Sequence, residues 1–236
     1  MKSVCALLSG GKDSNYALYK AIRSGYRVSC ILVVRSRTVD SWMFHVPHVD
    51  IALLQARAMG YQDRVHMVEV SGVKEREVEE LYDALRNLRD TVGFDAISVG
   101  ALASMYQYNR ISWIASRLGV EVYAPHWLMD QEEYLRMLVK DGIVFMITRI
   151  STMGLPHRLL GRPIGYSEVE EIIEHARRYG FNPAFEGGEA ETLVIDAPHY
   201  KSRLLVKGRP RRINEFEAEL VIEDVGLMEK TVSQRL

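Results

Sequence analysis

The strongest constraint on the fold is a rhythm. Short apolar runs recur between amphipathic stretches through the first half of the chain, and residues 28–34, rich in β-branched side chains, make the clearest of them. A strand of that kind is buried on both faces, as in a parallel sheet. Further runs at 4–8, 65–70, 94–99 and 120–123 are separated by helical patterns at 14–23, 51–59, 75–88 and 105–118. This alternation predicts βαβ units and a doubly wound parallel sheet of the α/β class. Right-handed crossovers then bring the strand C-terminal ends to one edge, where such folds bind ligands.

The rhythm weakens near Ala124-Pro125-His126, and a domain boundary is expected at about 125–130. Beyond it the sequence predicts a smaller mixed α+β region. A helix over 130–140 has Asp130 as N-cap, and a strand follows over 143–150. After a Gly- and Pro-rich loop, a helix over 167–179 opens with the pattern Ser167-x-x-Glu170. The rest is β-like, at 192–195, 202–206 and 217–222.

Charge and cysteine usage narrow the class. With 30 Lys+Arg against 31 Asp+Glu in 236 residues, the net charge is -1. That balance argues against a dedicated nucleic-acid binder, and no direct nucleic-acid binding is expected. Cys5 and Cys30 are too few for a disulfide framework and sit in strand-like runs, so both are expected to be reduced core residues of a cytoplasmic protein. No segment approaches the ~18 consecutive apolar residues that span a bilayer. The first apolar run ends early at Gly10-Gly11, which does not suit a signal peptide. Neither secretion nor a membrane partner is expected.

The first strand leads straight into Ser9-Gly10-Gly11-Lys12-Asp13-Ser14 and then a helix. Backbone N–H groups at a helix N-terminus, with its partial positive charge, form a ready anion site. Two glycines let the backbone approach phosphate oxygens, Ser9 and Ser14 add hydroxyls, and Lys12 adds a cation. The string is not a Walker A loop, since Ala6 and Asp13 stand where that motif needs Gly and Ser or Thr. Asp13 would repel bare phosphate, so it is expected to orient the loop or help hold a magnesium ion. Lys12 is expected to lie exposed in the loop.

This loop resembles that of the N-type ATP pyrophosphatases. That superfamily includes the ammonia-using synthetases for GMP, NAD and asparagine and also tRNA-thiolating enzymes. Its members cleave ATP between the α- and β-phosphates and adenylate a substrate oxygen. Three further stretches resemble one branch, the diphthine–ammonia ligase family. They are Ser41-Trp42-Met43-Phe44-His45; then Gly100-Ala101-Leu102-Ala103-Ser104-Met105-Tyr106-Gln107 continuing to Arg110; then Asn182-Pro183 with Glu186-Gly187-Gly188-Glu189-Ala190-Glu191-Thr192. Leu160-Gly161-Arg162 also fits. The family often has Gly where this chain has Phe185, an aromatic at Ala190, and Gly-Leu-Asp at Gly154-Leu155-Pro156.

Each stretch also has a reading from its residues. His45 and His48 with Asp50 have a metal-like spacing, but no third histidine or cysteine lies nearby to favour zinc. Met43, Phe44 and His45 are expected to line the adenine pocket, with Gly100 beside the nucleotide; packing of the same loop onto the sheet is the alternative. Ser104, Tyr106, Gln107 and Arg110 start a helix at the ligand-binding edge. Tyr106 and Arg110, at i and i+4, share a face, and Tyr106, Gln107 and Arg110 can donate to a carboxylate or phosphate of the substrate; an ordinary polar helix start is the alternative. Glu186, Glu189 and Glu191 crowd like charges around two glycines, which asks for a cation: magnesium, ammonium or a trimethylammonium group. A solvated acidic turn is the alternative. Lys201, Arg203, Lys207, Arg209, Arg211 and Arg212 read as a solvated hairpin, with docking of a protein or RNA as the alternative.

The resemblance implies an ATP-dependent ligase that amidates diphthine, a modified histidine of elongation factor 2, with ammonium. Products are diphthamide, AMP and pyrophosphate, by way of an acyl-adenylate. ATP and Mg2+ are the implied cofactors. Lys12, Asp13, Glu189 and Glu191 are the implied catalytic residues, with Glu186 on the substrate. The domains become an ATP-binding 1–128 and a substrate and ammonia domain over 129–236. No attached glutaminase is expected, and free ammonium is the expected nitrogen donor. Two other readings stand beside this one: lysidine-type amidation of tRNA, and a non-catalytic adenine-nucleotide sensor.

Overall fold

The computed structural model describes residues 1–37 and 49–231. Two compact units emerge, Met1–Trp127 and Leu128–Leu236. In the first, five strands lie in one sheet: β1 (Ser3–Leu7), β2 (Arg27–Ser36), β3 (Val65–Val70), β4 (Ala96–Ser98) and β5 (Glu121–Tyr123). Their order is β3-β2-β1-β4-β5 and every pairing is parallel. The expected doubly wound sheet is thus present. The β-branched run sits in β2, where residues 28–34 are all buried because neighbours flank it on both sides and helices cover both faces.

Four helices complete the unit: α1 (Lys12–Arg23), α2 (Val49–Met59), α3 (Arg76–Thr91) and α4 (Met105–Leu118). Leu81, Leu85 and Leu88 of α3 join Ile111, Ile114 and Ala115 of α4 in one apolar cluster against the sheet. Among the described residues, none from α1 or α2 enters it. Right-handed crossovers place those two helices on the opposite face. The connections change face between β1 and β4, so the crevice beyond the C-terminal ends of these two strands is the switch point. The loops β1–α1 and β4–α4 both open there.

Cys5 and Cys30 correct an expectation. They are register partners on β1 and β2, with Cα atoms 4.5 Å apart, and the structure joins them in a disulfide rather than leaving two thiols. Sequence spacing hides this, because the pairing is made by the crossover and not by a local turn.

The second unit is mixed α+β. Its central strand β6 (Val144–Ser151) pairs antiparallel with β8 (Ala190–Asp196), with the two-residue β7 (Pro163–Ile164) and with the start of β10 (Glu217–Glu229). β9 (Ser202–Arg212) and β10 form a long antiparallel ribbon. The basic stretch lies on it, with Lys207, Arg209 and Arg211 paired to Asp224, Glu223 and Glu219 of the other strand. Cross-strand neutralisation explains why this run of positive charge coexists with a solvated hairpin.

Helices α5 (Gln131–Lys140) and α6 (Tyr166–Tyr179) complete the unit. Asp130 caps α5 as expected, accepting from the N–H groups of Glu132 and Glu133. The start of α6 differs from the expectation. Glu168 folds back to accept from the N–H of Gly165 at 3.0 Å, so the helix begins earlier than Ser167. Glu170 instead grips Arg136 of α5 through two hydrogen bonds of 2.7 and 2.9 Å. Hydrogen bonding from Arg136 holds the Glu170 carboxyl below its ordinary range.

Candidate functional site

The phosphate loop is built by pulling its carbonyls inward. Gln55 of α2 has no exposed surface, and its Nε2 donates to the carbonyl of Gly10 at 2.9 Å. Asn15 of α1, equally buried, donates from Nδ2 to the carbonyl of Gly11 at 3.0 Å and to Gln55 Oε1 at 3.4 Å. The Ser14 hydroxyl donates to the same Gly11 carbonyl at 3.2 Å and accepts from the Ser9 N–H at 3.1 Å. Gly10 takes φ +90°, a turn that favours glycine. With these carbonyls tied back, the positive end of the α1 dipole lies at the loop, an arrangement that suits an anion. The N-cap is Gly11, which has no side chain to cap the helix.

Lys12 departs from its expected exposure. It opens α1 with only 2% of its surface accessible, and Nζ lies 2.9 and 3.0 Å from the two carboxylate oxygens of Asp13. The loop therefore carries its cation inside, held by the carboxylate that sequence alone would place against phosphate. Gly100 follows β4 and is pressed onto this turn: a Cβ there would fall 2.4 Å from the carbonyl carbon of Asp13 and 2.5 Å from the Ser14 nitrogen. Ser9 to Ser14 and Gly100 thus form one contiguous structure. Met43, Phe44 and His45, the expected adenine-pocket residues, lie outside the described residues, as does His48. Asp50 is described and bonds Arg35 at 3.0 Å. Among the described residues no three His, Cys, Asp or Glu side chains converge as a metal site.

The second part of the edge belongs to α4. Ser104 caps it, accepting from the Gln107 N–H at 3.4 Å. One turn on, the Arg110 guanidinium lies over the Tyr106 ring, 3.7 Å from its centroid, so the i, i+4 pair does share a face. Both side chains bond Glu75, which precedes α3: Arg110 as an ion pair and the Tyr106 hydroxyl at 3.5 Å. Hydrogen bonding from Arg110 lowers the Glu75 carboxyl from its ordinary range, and the pairing raises Arg110.

The acidic stretch lies in the other unit, and its members have different surroundings. The Glu189 carboxylate accepts from the N–H of Asn182 at 3.0 Å and from the N–H of Gly187 at 2.8 Å. Gly187 permits this, since a Cβ there would lie 2.6 Å from Glu189 Oε1. Glu189 thus closes a turn on itself. Glu191 sits on β8 in register with Arg149 of β6. Glu186 is half-buried in the preceding turn. Phe185, where the resembled family often has glycine, adopts φ +66°, the left-handed region that explains that preference.

Three residues that sequence analysis passed over prove structurally central: Asn15, Gln55 and Glu75. Gln55 carried a faint signal as an amide among apolar neighbours on an otherwise core-facing helix; Glu75 carried none.

A parallel sheet whose first strand turns through paired glycines into a helix N-terminus, at the switch point, defines a phosphate-binding α/β protein. The chain belongs more narrowly to the diphthamide synthase family: the model of the diphthamide synthase N-terminal domain matches residues 1–122 and that of the C-terminal domain residues 130–228. It is similar to proteins called diphthine–ammonia ligase in Rattus norvegicus and Homo sapiens, each 31% identical over 91% of this chain and 86% of that protein. A relative of that name in Schizosaccharomyces pombe is 27% identical over 86% of this chain but only 36% of its own length. No described helix is long and apolar enough to cross a membrane.

Proposed function

We propose that this protein is a cytoplasmic, ATP-dependent ligase that amidates diphthine on elongation factor 2 with free ammonium. Membership of the diphthamide synthase family, with a glycine loop at a helix N-terminus beside the switch point whose carbonyls are tied back by Gln55 and Asn15, carries the reading. Tyr106 and Arg110, at the same sheet edge as that loop, supply the groups for the acid end of the substrate.

The chemistry is positioning and charge neutralisation. The diphthine carboxylate oxygen attacks the α-phosphorus, the bond to the bridging oxygen breaks, and pyrophosphate leaves. Ammonia, formed when ammonium gives up a proton, adds to the acyl carbon; AMP leaves with the former carboxylate oxygen, and a second proton is lost from nitrogen. The loop N–H groups and Lys12 take up the charge of the phosphates, and Arg110 orients the carboxylate. Mg2+ suits a loop that offers a single carboxylate: Asp13 would be its protein ligand, the phosphates supplying the rest, and the ion would neutralise charge on the leaving group. Glu186 and Glu191 are assigned to the cationic end of the substrate or to ammonium. Glu189 holds the turn that presents them.

The nucleotide products test this reading against any kinase-like use of ATP. Chromatography of spent nucleotide is expected to show AMP and pyrophosphate in equal amounts, with sustained turnover only when ammonium and the diphthine-bearing protein are both present. ADP as the stoichiometric product would refute it.

A further inference from the structure

Glu75 is out of place as a helix-starting residue. It is the N-cap of α3, a position that prefers Ser, Thr, Asp or Asn, and its side chain makes no capping bond. Its backbone takes φ +65°, ψ −39°, which non-glycine residues avoid at an expense in strain. The carboxylate reaches instead to α4, thirty-five positions along the chain, where it bonds Arg110 and the Tyr106 hydroxyl. The guanidinium is thereby fixed on two sides, by the Tyr106 face beneath it and by Glu75 at Nη2, while its buried Nε–H has no hydrogen-bond partner among the described residues. A buried donor without an acceptor calls for one.

We infer that Glu75 is a positioning residue for substrate binding: its carboxylate, delivered by a strained backbone, holds the Arg110 guanidinium against Tyr106 so that its remaining donors meet an anionic group of the substrate. A residue kept at positive φ for its carboxylate differs from one merely tolerated there. In the second case glycine would serve as well or better.

The assignment of that anionic group to diphthine rests on the proposed function, so the experiment has one arm independent of it. Glu75→Gln keeps shape and strain and removes the charge; Glu75→Gly removes the side chain and relieves the strain. In the first arm, the Arg110 Nε–H resonance, identified by its loss in Arg110→Lys, is followed by NMR. It is expected to be distinct in the parent protein and to collapse towards the exposed arginine envelope in both variants. An unmoved resonance in both overturns the inference.

In the second arm, amidation kinetics are measured. KM for the diphthine-bearing protein is expected to rise roughly ten- to a hundredfold in both variants, as when a binding group is misplaced, with ATP affinity unchanged. The melting temperature of Glu75→Gly should equal or exceed that of the parent. Activity that follows melting temperature, or a parental KM in Glu75→Gly, overturns the inference. A parent protein that does not amidate diphthine refutes the proposed function, while the resonance still decides whether Glu75 positions Arg110.

Discussion

Lys12→Met is expected to fold and to produce AMP about 10²–10³-fold more slowly than the parent, the loss typical of a charge-stabilising group. Lys12 is buried and paired with Asp13, so removing the cation strands a carboxylate. Asp13 keeps 29% of its side-chain surface, however, and rehydrates in the variant. Methionine preserves the volume of the Lys12 stem. Circular dichroism should therefore be unchanged and the melting point lowered by a few degrees at most. AMP release at the parental rate from the folded variant would remove the loop from the reaction.

Gly100→Ala should be nearly as damaging without touching any charge. The added methyl meets backbone at 2.4–2.7 Å, namely the carbonyl carbon and oxygen of Asp13 and the nitrogen of Ser14, and no rotamer change can relieve it. The first turn of α1 must shift relative to β4. Overpacking of this kind costs about 1–3 kcal/mol, and a displacement of about 1 Å in groups that position a reacting phosphate costs up to roughly 10²-fold in rate. ATP affinity, AMP production and melting temperature measured together decide it. A variant with all three unchanged would show that the close packing of Gly100 on the loop has no bearing on nucleotide use.

Much of the fold could be read from local pattern. The run over 28–34 announces a central parallel strand, since burial on both faces leaves no polar alternation. The Ser9–Ser14 string points to an anion site, because paired glycines, two hydroxyls and a lysine coincide at a helix N-terminus directly after a parallel strand. Three things escaped for physical reasons. Lys12 looked exposed because glycine loops are usually solvated, whereas α1 begins at Lys12 itself and buries it. The capping role of Glu189 depends on a turn closed by Gly187 and Asn182, which sequence spacing does not specify. Gln55 and Glu75 reach their partners across 45 and 35 positions, through tertiary contacts that no window of residues contains.

The central claim is that this chain converts the diphthine carboxylate into an amide at the expense of ATP. The most direct measurement is mass spectrometry of the modified histidine peptide from elongation factor 2 carrying diphthine, after incubation with this protein, ATP, Mg2+ and ammonium. Exchange of a hydroxyl for an amino group on that side chain, dependent on both ATP and ammonium and matched by AMP, is the predicted result. An unmodified diphthine peptide, from protein shown to bind ATP under the same conditions, would contradict it.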